Sequence, residues 1–253
     1  MKSASDEDLR SSPATPPNRP VKTRLAFAVA FAGGLLMTGL WMTMLKTTSF
    51  APRQTFRSDV IPLPASSAAT GLTDVLKQRR TKRDFTAGCR ITLEEINSLL
   101  WAAQGVTSPE GFRTAPSAGA LYPLELVVAA GNVGSLTPGL YRYQPGESQL
   151  SPGAAGDFRG PIADAAYAQS WMAECAAVIA VCGVVDRVSR KYGSRGERYT
   201  LIEAGHAGQN IMLMSAALGL KCGIIGAFDD ERLHRQLGLA PDERVITLFP
   251  VGR

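Results

Sequence analysis

Histidine and cysteine are scarce in this chain, and their scarcity removes several classes of chemistry. Of 253 residues two are histidine, His206 and His234, and four are cysteine, at positions 89, 175, 182 and 222. No pair of cysteines has C-x-x-C spacing, so a structural zinc site lacks its ligands and no metal is expected. A hydrolase triad has little to draw on with two histidines and no G-x-S-x-G. His206 lies in an apolar stretch with Glu203 one turn earlier, which reads as a core or interface histidine rather than a ligand. The cysteines read as small buried hydrophobes, with any disulfide pairing left open. Also missing is a basic stripe interleaved with aromatics through the folded part. The formal charge is a modest +5 and aromatics make up 7%, which argues against a nucleic-acid partner. "GLKCGIIG" superficially resembles a dinucleotide loop but follows a helix pattern instead of separating a strand from a helix, so it fails that context.

Charge is absent altogether from residues 25–45, "LAFAVAFAGGLLMTGLWMTML". At helical rise these residues span about 30 Å, enough for a hydrocarbon core. Arg24 and Lys46 bracket the stretch, and Trp41 suits an interface. A buried core helix would show a polar face, and a signal peptide would be shorter. Pro52 directly follows the nearby Ser49-Phe50-Ala51 site, which argues against cleavage without excluding it. The expectation is a single-pass membrane anchor. Lys2, Arg10, Arg19, Lys22 and Arg24 precede it, which favours a cytoplasmic N-terminus and an extracytoplasmic folded domain. No twin-arginine pair precedes it. Residues 1–24 read as a disordered tail and 46–69, with prolines and small residues, as a linker.

The folded domain is expected over 70–253. Leu72, Val75 and Leu76 form a short helical stripe. "TLEEINSLLWAAQGV" is a helix with a capping box at Thr92 and Glu95 and a stop at Gly105. "LELVVAAG" and "AVIAVCGVV" read as buried strands, and "GLYRYQPGESQLS" as a hairpin. "TLIEAGHAGQNIMLMSAALGL" is a long helix, apolar nearly all round and hence central or at a subunit interface, with a second capping box expected at Thr200 and Glu203. Asn210 within it is a candidate ligand or interface contact. A strand at 222–225, the helix "DDERLHRQLG" and the strand "RVITLFPVGR" close a layered α+β pattern.

One motif asks for a ligand. "KQRRTKRDF", residues 77–85, holds five cationic side chains. Taken alone, such a run is most often a solvated face. Arg79, Arg80 and Arg83 with the Thr81 hydroxyl also suit one phosphate, because guanidinium forks match phosphate oxygens.

The blocks "RRTKRDF", "RTAPSAGALYPLEL", "KYGSRGERY", "EAGHAGQNIMLMSAALGL" and "GIIGAFDD" occur in an order that resembles the nitroreductase superfamily, its SagB/ThcOx-type azoline-oxidising dehydrogenases above all. The resemblance covers about residues 70–253. It implies a three-layer α+β fold with a central mixed or antiparallel sheet flanked by helices, and an intertwined homodimer with FMN at its interface. It gives Arg79, Arg80, Thr81 and Arg83 to the phosphate and the polar edge of the flavin, with Arg253 joining the phosphate site. Ser117, Ala118, Gly119 and Ala120 would lie along the flavin from the partner subunit, their small side chains letting backbone approach the ring. Ala120 and Tyr122 stand where many nitroreductases have Asn and Gln, a departure the azole-forming branch shares. Ile224 to Ala227, with Ile225 and Gly226, match the loop whose backbone meets the ring near N5. Lys191 and Tyr192 match the branch's proton-removing pair. The implied substrate is a peptide or small molecule, with NAD(P)H a possible donor. The alternatives are an NAD(P)H-dependent nitro or quinone reductase and a non-catalytic flavin-binding membrane scaffold.

Overall fold

The computed structural model describes residues 71–253; the expected tail, membrane helix and linker lie outside the described residues. Six strands, β1 Leu124–Ala130, β2 Gly139–Gln144, β3 Gln149–Ala155, β4 Ala177–Gly183, β5 Lys221–Cys222 and β6 Arg244–Gly252, form one sheet in the order β3-β2-β1-β4-β6-β5. Every pairing in it is antiparallel. Six α-helices accompany them: α1 Leu72–Gln78, α2 Leu93–Gln104, α3 Arg159–Ala165, α4 Val185–Tyr192, α5 Gly196–Ala217 and α6 Asp230–Gln236. Among the described residues no helix is long and apolar enough to cross a membrane.

The central strands β1 and β4 are buried on both faces, and their alternation builds two cores. Leu126, Val128, Ile179 and Val181 point to one side, where Ile96, Leu99 and Leu100 of α2 and Ala204, Ala207 and Ile211 of α5 cover them. Val127, Ala129, Val178 and Ala180 point to the other, onto Ile162 of α3, Met172, and Leu233 of α6. A strand presents successive side chains to opposite faces, so an unbroken apolar run requires cover on both, and the result is three layers. Helix α5 reaches the sheet through Gly208, where an added Cβ would stand 2.6 Å from Phe249 Cζ. On its other side, away from the core, Leu201 and Ile202 are 50% and 49% exposed.

The local signals held in some places and failed in others. The α2 capping box is complete: Glu95 N–H donates to Thr92 Oγ1 at 3.1 Å, and Thr92 N–H to Glu95 Oε2 at 2.8 Å. The box expected at Thr200 and Glu203 is absent, because α5 begins a turn earlier at Gly196. Thr200 Oγ1 instead donates back to Gly196 O at 2.9 Å, and Glu203 is buried. Asn210 spends its amide on Ala102 O of α2 at 2.9 Å, a contact between helices of one chain. His206 is exposed, so it is not a core residue of the isolated chain. The expected strand at 222–225 is the two-residue β5 plus an isolated bridge from Ile225 to Leu248. All four cysteines are free and buried, and burial raises the thiol pKa values of Cys175, Cys182 and Cys222.

Candidate functional site

The basic stretch leaves α1 at Arg79, whose extended backbone ends the helix, and runs beside the edge strand. Lys82 N–H donates to Cys222 O at 2.9 Å, and Thr86 N–H to Arg253 O at 2.5 Å. Lys221 Nζ pairs with Asp84 at 3.2 Å. Among the described residues, Arg79, Arg80 and Arg83 have no carboxylate partner. Arg80 Nη1 donates to Arg79 O at 2.7 Å, and the Arg83 guanidinium lies 6.0 Å from the Trp171 ring centre. Three guanidinium groups, Thr81 between them, are thus left unneutralised at one sheet edge, a donor set that fits a dianionic phosphate. Arg253 is differently placed. Its guanidinium is held by Glu95 Oε1 and by Arg90 O at 3.3 Å, so its charge is already matched.

The same edge carries the loop after β5. Ile225 is buried, and both its backbone groups are exchanged with Leu248 at 3.0 and 2.9 Å. Within this chain its side chain and its backbone N–H and C=O are therefore all engaged, and Thr247 Oγ1 also donates to its carbonyl at 3.0 Å. Gly226 is exposed, its N–H has no partner among the described residues, and an added Cβ there would meet nothing within 4 Å. It shares a cavity with Val185, Glu197, Phe228 and Arg244, and no contact among the described residues joins it to the arginine cluster.

A second group forms where β1 begins and β4 ends. Ser117 leads into a short 3-10 turn, Ala118–Ala120. Gly119, Ala120 and Tyr122 have φ of 62°, 53° and 46°, left-handed values that cost non-glycine residues about 1 kcal/mol or more each. Lys191 and Tyr192 close the last turn of α4. They pack on Gly119: a Cβ there would stand 2.7 Å from the Tyr192 hydroxyl and 2.9 Å from Lys191 Nζ. Tyr199 meets Tyr192 edge-on at 5.2 Å. Lys191, Arg190 and Arg195 are all exposed, so this chain alone does not bury the lysine.

Beneath the turn lies a polar layer that sequence reasoning missed. Tyr122 N–H donates to Ser117 Oγ at 2.9 Å, and Arg187 Nη1 donates to Tyr122 O at 2.5 Å. Arg187 Nη2 reaches Glu125 at 2.7 Å. The Arg113 guanidinium lies over the Tyr122 ring at 4.4 Å and donates to Gln104 Oε1 at 2.8 Å. Glu203, 2% exposed, faces this layer from α5. Burial pushes its carboxyl up to about 7, against the pull of Ser117, Arg113, Gln104 and Arg187. The one signal for it was a carboxylate inside an otherwise apolar helical run. Among the described residues, no hydrogen bond or ion pair joins the turn group to Arg79, Arg80 and Arg83.

The fold is thus an open antiparallel sheet between two helical layers, with a guanidinium cluster unpaired among the described residues at its edge and a strained small-residue turn before β1. Residues 76–253 match the Nitroreductase family, and the chain belongs to it. Members of that family are flavin-dependent oxidoreductases, and this chain is an enzyme of that kind. It is 38% identical over 182 residues to MJ1384 of Methanocaldococcus jannaschii, named as a nitroreductase, covering 72% of this chain and 90% of that one. It is 26% identical over 163 residues to the Escherichia coli microcin B17-processing protein McbC, covering 62% of this chain and 59% of McbC. A crystal structure of a nitroreductase-like protein from Anabaena variabilis superposes with a TM-score of 0.64 at 29% identity, covering 72% of this chain and 38% of that one.

Proposed function

We propose that this chain is an FMN-dependent dehydrogenase of the SagB type, which oxidises an azoline or a similar heterocycle on a peptide or small molecule. Such a ring becomes aromatic by losing a hydride and a proton. FMN, when bound, supplies the hydride acceptor at N5. The proton is left to Lys191 and Tyr192. The observation that carries this reading is the packing of that pair against Gly119, inside the segment whose resemblance assigns it to the flavin face. The similarity to McbC, a microcin-processing protein, supports a peptide substrate.

Arg79, Arg80, Thr81 and Arg83 would hold the phosphate, and the Gly226 N–H would face the ring. The turn at 117–120 and the basic edge form separate groups within one chain, which supports a homodimer whose two subunits each supply half of a site. The exposed Leu201 and Ile202 on α5 offer apolar surface for such an interface. The uncharged residues 25–45 support a single-pass anchor with the enzyme outside the cytoplasm. A second reading, reduction of a nitro compound or quinone by NAD(P)H, is favoured by the likeness to MJ1384.

The test uses the purified full-length chain in detergent. It should carry a flavin absorbance, bleach anaerobically with an azoline-containing peptide, and yield the azole. Lys191→Ala should keep the flavin and lose that turnover. Bleaching by NADPH with reoxidation by a nitroaromatic, and no response to the azoline, would transfer the assignment to the second reading.

A further inference from the structure

Helix α4 buries only Val188 of its eight residues, so hydrophobic packing alone holds it weakly on the core. Three polar or close contacts fasten it to the segment ahead of β1. At its start, Val184 N–H donates to Pro123 O at 2.9 Å. In its middle, Arg187 donates from Nη1 to Tyr122 O at 2.5 Å and from Nη2 to Glu125 Oε1 at 2.7 Å. At its end, Lys191 and Tyr192 close on Gly119. Arg187 and Lys191 are four positions apart and so share one side of the helix. The middle contact falls where the chain is strained. Tyr122 is at φ 46°, a conformation that its surroundings must hold. Ser117 Oγ takes its N–H at 2.9 Å, the Arg113 guanidinium covers its ring at 4.4 Å, and Arg187 takes its carbonyl. Glu125 orients the Arg187 fork from the other side and lies 3.7 Å from Arg142 Nη1, which is itself forked onto Glu243. A planar guanidinium with donors committed in two directions has little freedom to turn.

We propose that Arg187 is a positioning residue for Lys191 and Tyr192: by tying the Tyr122 carbonyl to Glu125 of β1, it fixes the spacing between the turn at Ala118–Tyr122 and the last turn of α4. It acts through those two residues and not on the reacting atoms. Without the fork, Tyr122 relaxes from its left-handed conformation, Gly119 moves with it, and the pair loses the surface on which it packs. The catalytic consequence rests on the function proposed above, but the tie between α4 and the turn does not.

Two measurements on the full-length protein in detergent test this with Arg187→Met, which keeps most of the stem and removes both donors. Glu125 retains Arg142 nearby, so the substitution strands no carboxylate. The first measurement is hydrogen exchange without flavin. The Tyr122 amide should exchange at least about tenfold faster than in the wild type, while the Val128 and Ile179 amides of the sheet stay within about twofold. If Arg187→Met does not fold, Glu125→Gln serves. It removes the charge that orients the fork and should speed the Tyr122 amide about threefold with the same sheet amides unchanged. Unchanged exchange at Tyr122, or sheet amides accelerated as much as Tyr122, would overturn the proposal. The second measurement is azoline oxidation at saturating FMN. Because the pair acts in the transition state, kcat should fall at least about tenfold and KM should stay within about threefold. Faster exchange with an unchanged kcat would also overturn the proposal. If the wild type oxidises no azoline, the proposed function falls, and the exchange result still decides whether Arg187 holds the turn.

Discussion

Gly119 and Tyr192 meet with no room for one added carbon, since a Cβ on the glycine would stand 2.7 Å from the tyrosine hydroxyl. This contact joins the turn ahead of β1 to the end of the helix that follows β4. It exists because β1 and β4 are antiparallel neighbours, with Leu124 opposite Gly183. The glycine is also at φ 62°, so both its backbone and its missing side chain are used.

Gly119→Ala should therefore displace Lys191 and Tyr192 while leaving the cationic edge untouched. Left-handed strain costs about 1 kcal/mol, and a misplacement near 1 Å costs up to about a hundredfold in rate. The expected result is retained flavin with turnover reduced more than about tenfold, read by absorbance and steady-state kinetics. Unimpaired turnover would remove the pair from the chemistry.

The arginines at the sheet edge should separate by function. Replacing Arg79 and Arg83 together with alanine removes two charge-assisted donors, and FMN affinity should fall about a hundredfold or more. Stability without flavin should change by no more than about 0.5 kcal/mol, because neither has a carboxylate partner among the described residues to lose. Arg253→Ala breaks the ion pair with Glu95, whose arginine side chain is 47% exposed, at a cost of about 1 kcal/mol or less. Flavin titration and urea unfolding of the two variants check both statements. FMN loss in Arg253→Ala would mean that the arginine leaves Glu95 to reach the phosphate.

Acid should unfold the domain partly through Glu243. Burial raises this carboxyl, but the Arg142 fork at 2.7 and 2.9 Å and the Ala240 N–H at 3.0 Å more than offset it, so it titrates below its usual value. A depressed carboxyl stabilises the fold above its unfolded pKa, and that contribution is lost as pH falls through the folded value. Glu243→Gln should cost about 2 kcal/mol near neutrality and flatten the stability loss below the ordinary glutamate value of 4.5. Urea unfolding at neutral and acidic pH measures it; an unchanged acid slope would move the effect to other carboxylates.

What could be read along the chain was whatever depends on near neighbours or on period. Leu124–Ala130 and Ala177–Gly183 are continuous apolar runs, and both are strands buried on two faces. Thr92 and Glu95 cap as their spacing says, whereas Thr200 and Glu203 have the same spacing and do not. The difference is burial: α2 starts at the surface, but Thr200 and Glu203 are covered by the layers around α5, and the chain begins its helix earlier. Helix α4, which carries Lys191 and Tyr192, left no sequence signal because it is eight polar-rich residues with only Val188 buried, too short for a period to register.

The amino-acid order by itself determined β1 to β4 and β6, the helices α1, α2, α5 and α6, and a cluster of cations beside a hydroxyl, because these follow from side-chain period and local composition. Only the tertiary structure decided which cations are free and which carboxylate is sealed in. Arg253 is matched by Glu95 across 158 positions and Arg187 by Glu125 across 62, while Arg79 and Arg83 are left unmatched among the described residues. Charge pairing depends on distance through space and on exclusion of water, and neither quantity is written along the chain.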